Sequence, residues 1–96
     1  MKVLLLIEEI IIGKLMKSII QNEYTNAEVN WKDNAADFKS VLEQEQYDII
    51  ILHDMISGRA SLEIAELIRT EMNIFVPVIM VTDIKMEQFQ KKAYQA

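Results

Sequence analysis

The chain has 96 residues, of which 51% are hydrophobic and 26% are charged, as in an ordinary globular domain. Its formal net charge of −5 argues against nucleic acid as a partner, because no basic patch is available to neutralise phosphates. The absence of cysteine excludes disulfides and thiolate metal sites. Glu8 and Glu9 interrupt the apolar opening too early for a membrane span. The sequence therefore predicts a single cytoplasmic domain that has no membrane partner.

Four segments have the pattern of β-strands. Residues 3–7, 49–52 and 75–81 form nearly continuous apolar runs, which is typical of strands covered on both faces. Pro77 lies near the start of its run, where a missing N–H is tolerated. Residues 28–31 alternate more weakly, so this segment is predicted to lie at an edge of the sheet.

Helices are predicted between and after these strands, from apolar residues spaced three and four apart. The residues expected to face the core are Ile11, Leu15, Ile19 and Ile20 in the first helix, Phe38, Val41 and Leu42 in the second, and Leu62, Ala65, Ile68 and Met72 in the third. Asn34 is the expected N-cap of the second helix, and a fourth helix is expected from Lys85. This alternation predicts an α/β fold with a doubly wound parallel sheet of four strands.

Polar residues that could form a site follow the first, third and fourth predicted strands. In open parallel sheets, ligands bind beyond the carboxyl ends of the strands, near the point where the strand order reverses. Charged residues also end strands simply because the chain leaves the core, Thr82 could be an N-cap, and a lone histidine could be structural. The residues expected to meet at one edge are Glu8 and Glu9 after the first strand, His53 and Asp54 after the third, and Thr82 and Asp83 after the fourth.

Three motifs, "MKVLLLIEE", "YDIIILHDMISGRASLEI" and "PVIMVTD", occur in this order along the chain. With them the chain resembles the receiver domain of two-component response regulators over nearly all of its length. The resemblance implies a flavodoxin-like (CheY-like) fold. It also implies a phosphorelay module in which an aspartate ending the third strand accepts a phosphoryl group. In receivers the acids after the first strand help to hold Mg²⁺, and the hydroxyl after the fourth strand contacts the phosphoryl group.

Matched by position, this chain departs from the family at the phosphoacceptor. His53 stands at that position, and Asp54, one residue later, points to the other side of a regular strand. Ile7 and Glu8 stand where receivers usually carry two acids. The resemblance implies an acidic pocket made of Glu8, Glu9, Asp54 and the backbone of Met55, with Thr82 and Asp83 as switch residues.

Receivers continue with a fifth strand and helix, and the sequence stops before both. The resemblance therefore implies one receiver-like domain over residues 1–96 that lacks its last strand and helix. The fourth strand would then have an open apolar edge, and such edges pair with other chains. We expect a homodimer or a strand-exchanged oligomer.

The leading prediction is a pseudo-receiver, which is not an enzyme and needs no cofactor. It would contact a sensor histidine kinase or another signalling protein without standard aspartyl phosphorylation. A second hypothesis is a phosphorylatable receiver that uses Asp54, or another acid, with Mg²⁺. A third is a Zn²⁺ or Mn²⁺ site made of Glu8, His53 and Asp54.

Overall fold

Strands and helices alternate along the chain in a computed structural model that describes residues 1–34, 38–53, 55–56 and 59–81. For residues 55–56 and 59–60 the description covers the backbone alone. The fourth predicted helix lies outside the described residues. The elements are β1 Lys2–Leu6, α1 Ile10–Glu23, β2 Glu28–Lys32, α2 Phe38–Gln44, β3 Ile49–His53, β4 Met55–Ile56, β5 Arg59–Ala60, α3 Ser61–Thr70 and β6 Val78–Val81.

Four of the strands form one parallel sheet in the order β2-β1-β3-β6. The α/β fold with a four-stranded parallel sheet is therefore confirmed, as is the edge position of β2. The chain moves from β1 to β2 in one direction and then returns across β1 to β3. The strand order therefore reverses between β1 and β3. Open α/β sheets bind ligands beyond the carboxyl ends of the two strands at such a reversal. The two-residue strands β4 and β5 form a separate antiparallel hairpin that was not predicted.

The core consists of two apolar clusters, one on each face of the sheet. Because side chains alternate along a strand, β1 sends Leu4 and Leu6 to one face and Val3 and Leu5 to the other. The first cluster also receives residues of α2 and α3, and the second receives residues of α1. Burial of each large aliphatic side chain contributes roughly 1.5–3 kcal/mol. As predicted for α2, Phe38 and Leu42 are buried, and Val41 packs against them.

The predicted buried face of α1 is wrong. Ile11 is 75% exposed, and Leu15 and Ile19 are also exposed, so Ile20 alone of the four predicted residues packs on the core. Gly13 is buried in this helix, and a Cβ atom there would overlap the indole ring of Trp31. Close contact between this glycine and Trp31 therefore turns α1 so that a different set of residues meets the sheet, namely Ile12, Met16 and Ile20.

The connection from α3 to β6 differs from its prediction as well. Leu62 is exposed and Ile64 is buried in its place, whereas Ala65, Ile68 and Met72 are on the core as predicted. Met72 packs there from the connection, because α3 ends at Thr70. Asn73 then has a φ of 54°, in the left-handed region that asparagine tolerates. The strand begins at Val78 rather than at residue 75, which leaves Phe75 74% exposed. No helix in the described part of the chain has the length and apolarity needed to cross a membrane.

Candidate functional site

The candidate site lies at the carboxyl ends of β1, β3 and β6. The pairing of Leu6 with Leu52, continued by one residue, places Ile7 beside His53. His53 in turn pairs with Val81 on the opposite side. Ile7, His53 and Val81 therefore form one row across three neighbouring strands, and Glu8 begins the next row beyond it.

His53 is the last residue of β3 rather than the first residue after it. Its side chain is 6% exposed, so the imidazole lies within the protein and not on an open surface. Alternation along β3 puts His53 on the same face as Ile51. Ile7 and Val81, its neighbours in the row, belong to the apolar cluster on that face. The neighbours of His53 in this row are therefore apolar, and little of the residue is open to solvent.

Two hydrogen bonds join the segment between β1 and α1 to the edge strand β2, one to the β2 backbone and one to a β2 side chain. Ile7 donates its N–H to the Lys32 carbonyl over 3.3 Å, and the indole Nε1 of Trp31 donates to the Ile7 carbonyl over 2.8 Å. These bonds fix the backbone immediately before Glu8, which is half-buried. Glu9 is exposed and caps α1 through its backbone alone, since its carbonyl accepts the N–H of Gly13. An acid at a helix N-terminus is favoured by the helix dipole.

The structure brings together part of the predicted set. Glu8, Glu9 and His53 lie at the same edge of the sheet, whereas Asp54, Thr82 and Asp83 fall outside the described residues. Met55 is described through its backbone, which pairs with Ala60 in the β4–β5 hairpin. Within the described residues, no three histidine, aspartate or glutamate side chains approach one another closely enough to hold a metal ion.

A polar network near the amino ends of the strands, opposite the candidate site, was not predicted. Asn30 donates through its side-chain amide to the Tyr47 hydroxyl over 2.9 Å and to the Glu45 carboxylate over 3.1 Å. Lys2 lies 3.7 Å from Glu45, and its backbone N–H donates to the Asp48 carboxylate over 2.7 Å. The only local indication in the sequence was a polar Asn30 between two apolar residues of β2.

Burial is the main cause that raises the pKa of Tyr47 above its ordinary value of 10.0. The hydrogen bond from Asn30 lowers the pKa, and the neighbouring carboxylate of Glu45 raises it further. The phenol therefore stays protonated in the folded protein at and above the pH where a free tyrosine ionises. Its neutral hydroxyl accepts the hydrogen bond from Asn30, which joins the segment before β3 to β2 across the intervening strand β1.

No protein-family model matches the chain, and no curated protein matches it either. The receiver resemblance therefore depends on the three sequence motifs and on the arrangement of the strands that carry them.

Proposed function

We propose that the chain is a receiver-like signalling module, a pseudo-receiver of a phosphorelay that acts through contacts with other proteins. The observation that carries this proposal is the position of His53. It ends β3, beside the point where strand order reverses, and it is buried. A receiver needs its carboxylate nucleophile at this same place. In this module the phosphoacceptor position at the end of β3 therefore carries an imidazole in place of the reactive carboxylate.

The arrangement of the elements supports a flavodoxin-like fold for this module. The order β2-β1-β3-β6 corresponds to the first four places of the flavodoxin-like order 2-1-3-4-5. Residues of α1 pack on one face of the sheet, and residues of α2 and α3 pack on the other. This distribution is what right-handed crossovers produce for that strand order.

The residues at this edge do not fit the Mg²⁺ site of receivers. Mg²⁺ prefers oxygen ligands in near-octahedral geometry. Ile7, which stands where the family has its first acid, offers only carbon in its side chain and is fully buried. His53 offers nitrogen where the family offers carboxylate oxygens. Two of the oxygen-bearing positions are therefore lost, and an imidazole cannot form the acyl phosphate that the family uses.

A module without this chemistry would signal through its surface. The partner we propose is a sensor histidine kinase or another signalling protein. Leu62 on α3 and Met80 on β6 are large exposed apolar residues, and Met80 lies on the face of the sheet that α3 covers, because it pairs with Leu52. Exposed apolar residues on neighbouring elements are typical of a surface that meets another protein.

Acetyl phosphate with Mg²⁺, followed by intact mass measurement, tests this proposal. The wild-type chain should gain no phosphoryl group. The double variant Ile7→Asp, His53→Asp restores both missing carboxylates, and it should gain one phosphoryl group if this edge has the receiver arrangement. Trp31 fluorescence would verify that the variant is folded.

Two results would contradict the proposal. A phosphoryl group on the wild-type chain that disappears in Asp54→Ala would favour a phosphorylatable receiver instead. A folded double variant that stays unmodified would remove the basis for a receiver-like edge altogether.

A further inference from the structure

A cavity of about 830 Å³ opens at the amino ends of the strands, whereas His53 lies at their carboxyl ends. It lies between the end of α2 and the segment that joins α3 to β6, and its lining comes from residues 42–47, 71–72 and 74–76 together with Ile50. Pockets that bind small ligands typically have volumes of roughly 300–1,000 Å³. The size of this cavity is therefore that of a binding site.

The floor of the cavity is apolar and its far wall is held in place. Leu42, Tyr47 and Ile50 are buried and form the floor. Arg69 donates one N–H to the Ile74 carbonyl and another to the Val76 carbonyl, each over 2.6 Å. Because a planar guanidinium bridges two carbonyls, the backbone of this wall is fixed before any ligand arrives. A preformed wall lowers the entropy that binding would cost.

The rim of the cavity combines carboxylates with an exposed aromatic ring. Glu43, Glu45 and Glu71 are exposed there, and so is Phe75. Lys39 contacts Glu71 at 2.6 Å and Lys2 contacts Glu45 at 3.7 Å, and each of these four side chains is between 41% and 53% exposed. Ion pairs of this kind contribute little to stability, so a ligand cation can replace either lysine.

We propose that this cavity binds a basic peptide segment of a partner protein. An aromatic or branched aliphatic side chain of the peptide would enter the apolar floor, and adjacent lysines or arginines would meet the rim carboxylates. The ring of Phe75 accepts a cation on its face, as it already does from the Arg69 guanidinium 5.9 Å from its centroid. This site is separate from the His53 edge, and the inference does not depend on the proposed function.

Charge selects this class of ligand over the others. An acidic or phosphorylated segment would face three rim carboxylates, two of which have a lysine beside them, on a chain whose net charge is −5. A purely apolar segment would remove water from those carboxylates without supplying a partner, which is unfavourable. A segment that carries both an apolar anchor and cations satisfies the floor and the rim together.

An NMR titration of the ¹⁵N-labelled full chain tests the site with the capped peptide Ac-AFKKLA-NH₂. Amide shifts should concentrate at residues 43–47 and 71–76 and should saturate with a Kd of about 1 mM or tighter. A control peptide with glutamate in place of both lysines should bind at least about tenfold more weakly, and so should a control with alanine in place of the apolar anchors. Raising the salt concentration should weaken binding, because the rim is exposed.

Variants of the protein separate the rim from the rest of the surface. Glu43→Lys and Phe75→Ala change exposed side chains, so the fold should persist, and each should weaken binding about tenfold or more. Glu63→Lys makes the same charge change in the first turn of α3, away from the cavity, and should leave the affinity unchanged.

Three outcomes would overturn the proposal. They are equal binding of the lysine and glutamate peptides, no shifts at the cavity at several times the expected Kd, and shifts there that appear on raising the protein concentration alone. The last outcome would assign the cavity to a second copy of the chain.

Discussion

At the scale of single residues, contact with Trp31 explains why position 13 is glycine. A side chain there would meet the indole ring, and the same indole donates a hydrogen bond to the Ile7 carbonyl beside the candidate site. The contact therefore links the packing of α1 to the backbone that carries Glu8. No pattern within α1 could have indicated this, because the partner lies 18 residues away in β2.

Gly13→Ala should destabilise the protein although alanine is the better helix former. Alanine gains about 1 kcal/mol of helix propensity, while overpacking against a ring costs about 1–3 kcal/mol. We expect a net loss on the order of 1 kcal/mol in the free energy of unfolding, measured by urea denaturation with circular dichroism. Ser18→Ala, on the exposed side of the same helix, should be neutral or slightly stabilising. A Gly13→Ala variant as stable as the wild type would show that the ring can move aside.

Tyr47 should make stability depend on pH in the alkaline range. The folded pKa is raised above 10.0, so the protonated phenol favours folding fully below pH 10. That contribution is lost as pH rises through the raised folded pKa. The unfolding midpoint should therefore fall more steeply above pH 10 in the wild type than in Tyr47→Phe. Tyr24→Phe, at an exposed tyrosine, should keep the wild-type slope. Equal slopes in all three proteins would contradict the prediction.

At the scale of elements, the sequence predicted which segments are helical better than which faces are buried. In α1, apolar residues occur on nearly every side, including Ile10, Ile11 and Ile12, so spacing alone allowed more than one buried face. In α3 the error was small, since Ile68 is buried as predicted and Ile64 takes the place of Leu62. Which face of a helix is buried depends on contacts with residues distant in sequence, whereas the existence of the helix depends on local composition.

The connection from α3 to β6 depends on Arg69 more than on the exposed ion pair between Lys39 and Glu71. Its guanidinium bridges the carbonyls of Ile74 and Val76, a geometry that a single ammonium cannot reproduce. Arg69→Lys should therefore lower the free energy of unfolding by about 1–2 kcal/mol. Lys39→Met breaks the exposed pair with Glu71 and should cost at most about 1 kcal/mol. Chemical denaturation measures both. A cost for Arg69→Lys no larger than that for Lys39→Met would contradict this ranking.

At the scale of the whole molecule, the alternation of strands and helices predicted the parallel sheet. Each buried strand is an apolar run, and a parallel neighbour requires a crossover. The hairpin of β4 and β5 could not be predicted in this way, because two residues have no measurable periodicity. For the site, the parallel fold places Glu8 and His53 at one edge. The burial of His53 could not be predicted, because it depends on neighbours at the ends of the two flanking strands, β1 and β6.

The outer edge of β6 gives the last prediction, which concerns assembly. In the described part of the chain, β3 is the only strand paired with β6. The successive β6 residues Ile79 and Met80 lie on opposite faces of the sheet, and each is 47% exposed. An apolar edge of this kind pairs with another edge, so we expect a homodimer or strand-exchanged oligomer at concentrations on the order of 10 µM. Sedimentation equilibrium would measure it.

A matched pair of variants identifies the surface responsible for that assembly. Ile79→Lys places a charge on the edge strand and should weaken association about tenfold or more, because charged edges resist pairing. Ile11→Lys makes the same change on α1, at a residue that is more exposed, and should leave association unchanged. If Ile11→Lys has the larger effect, the exposed apolar side of α1 forms the interface. If the wild type stays monomeric, the edge of β6 does not pair with a second copy in solution.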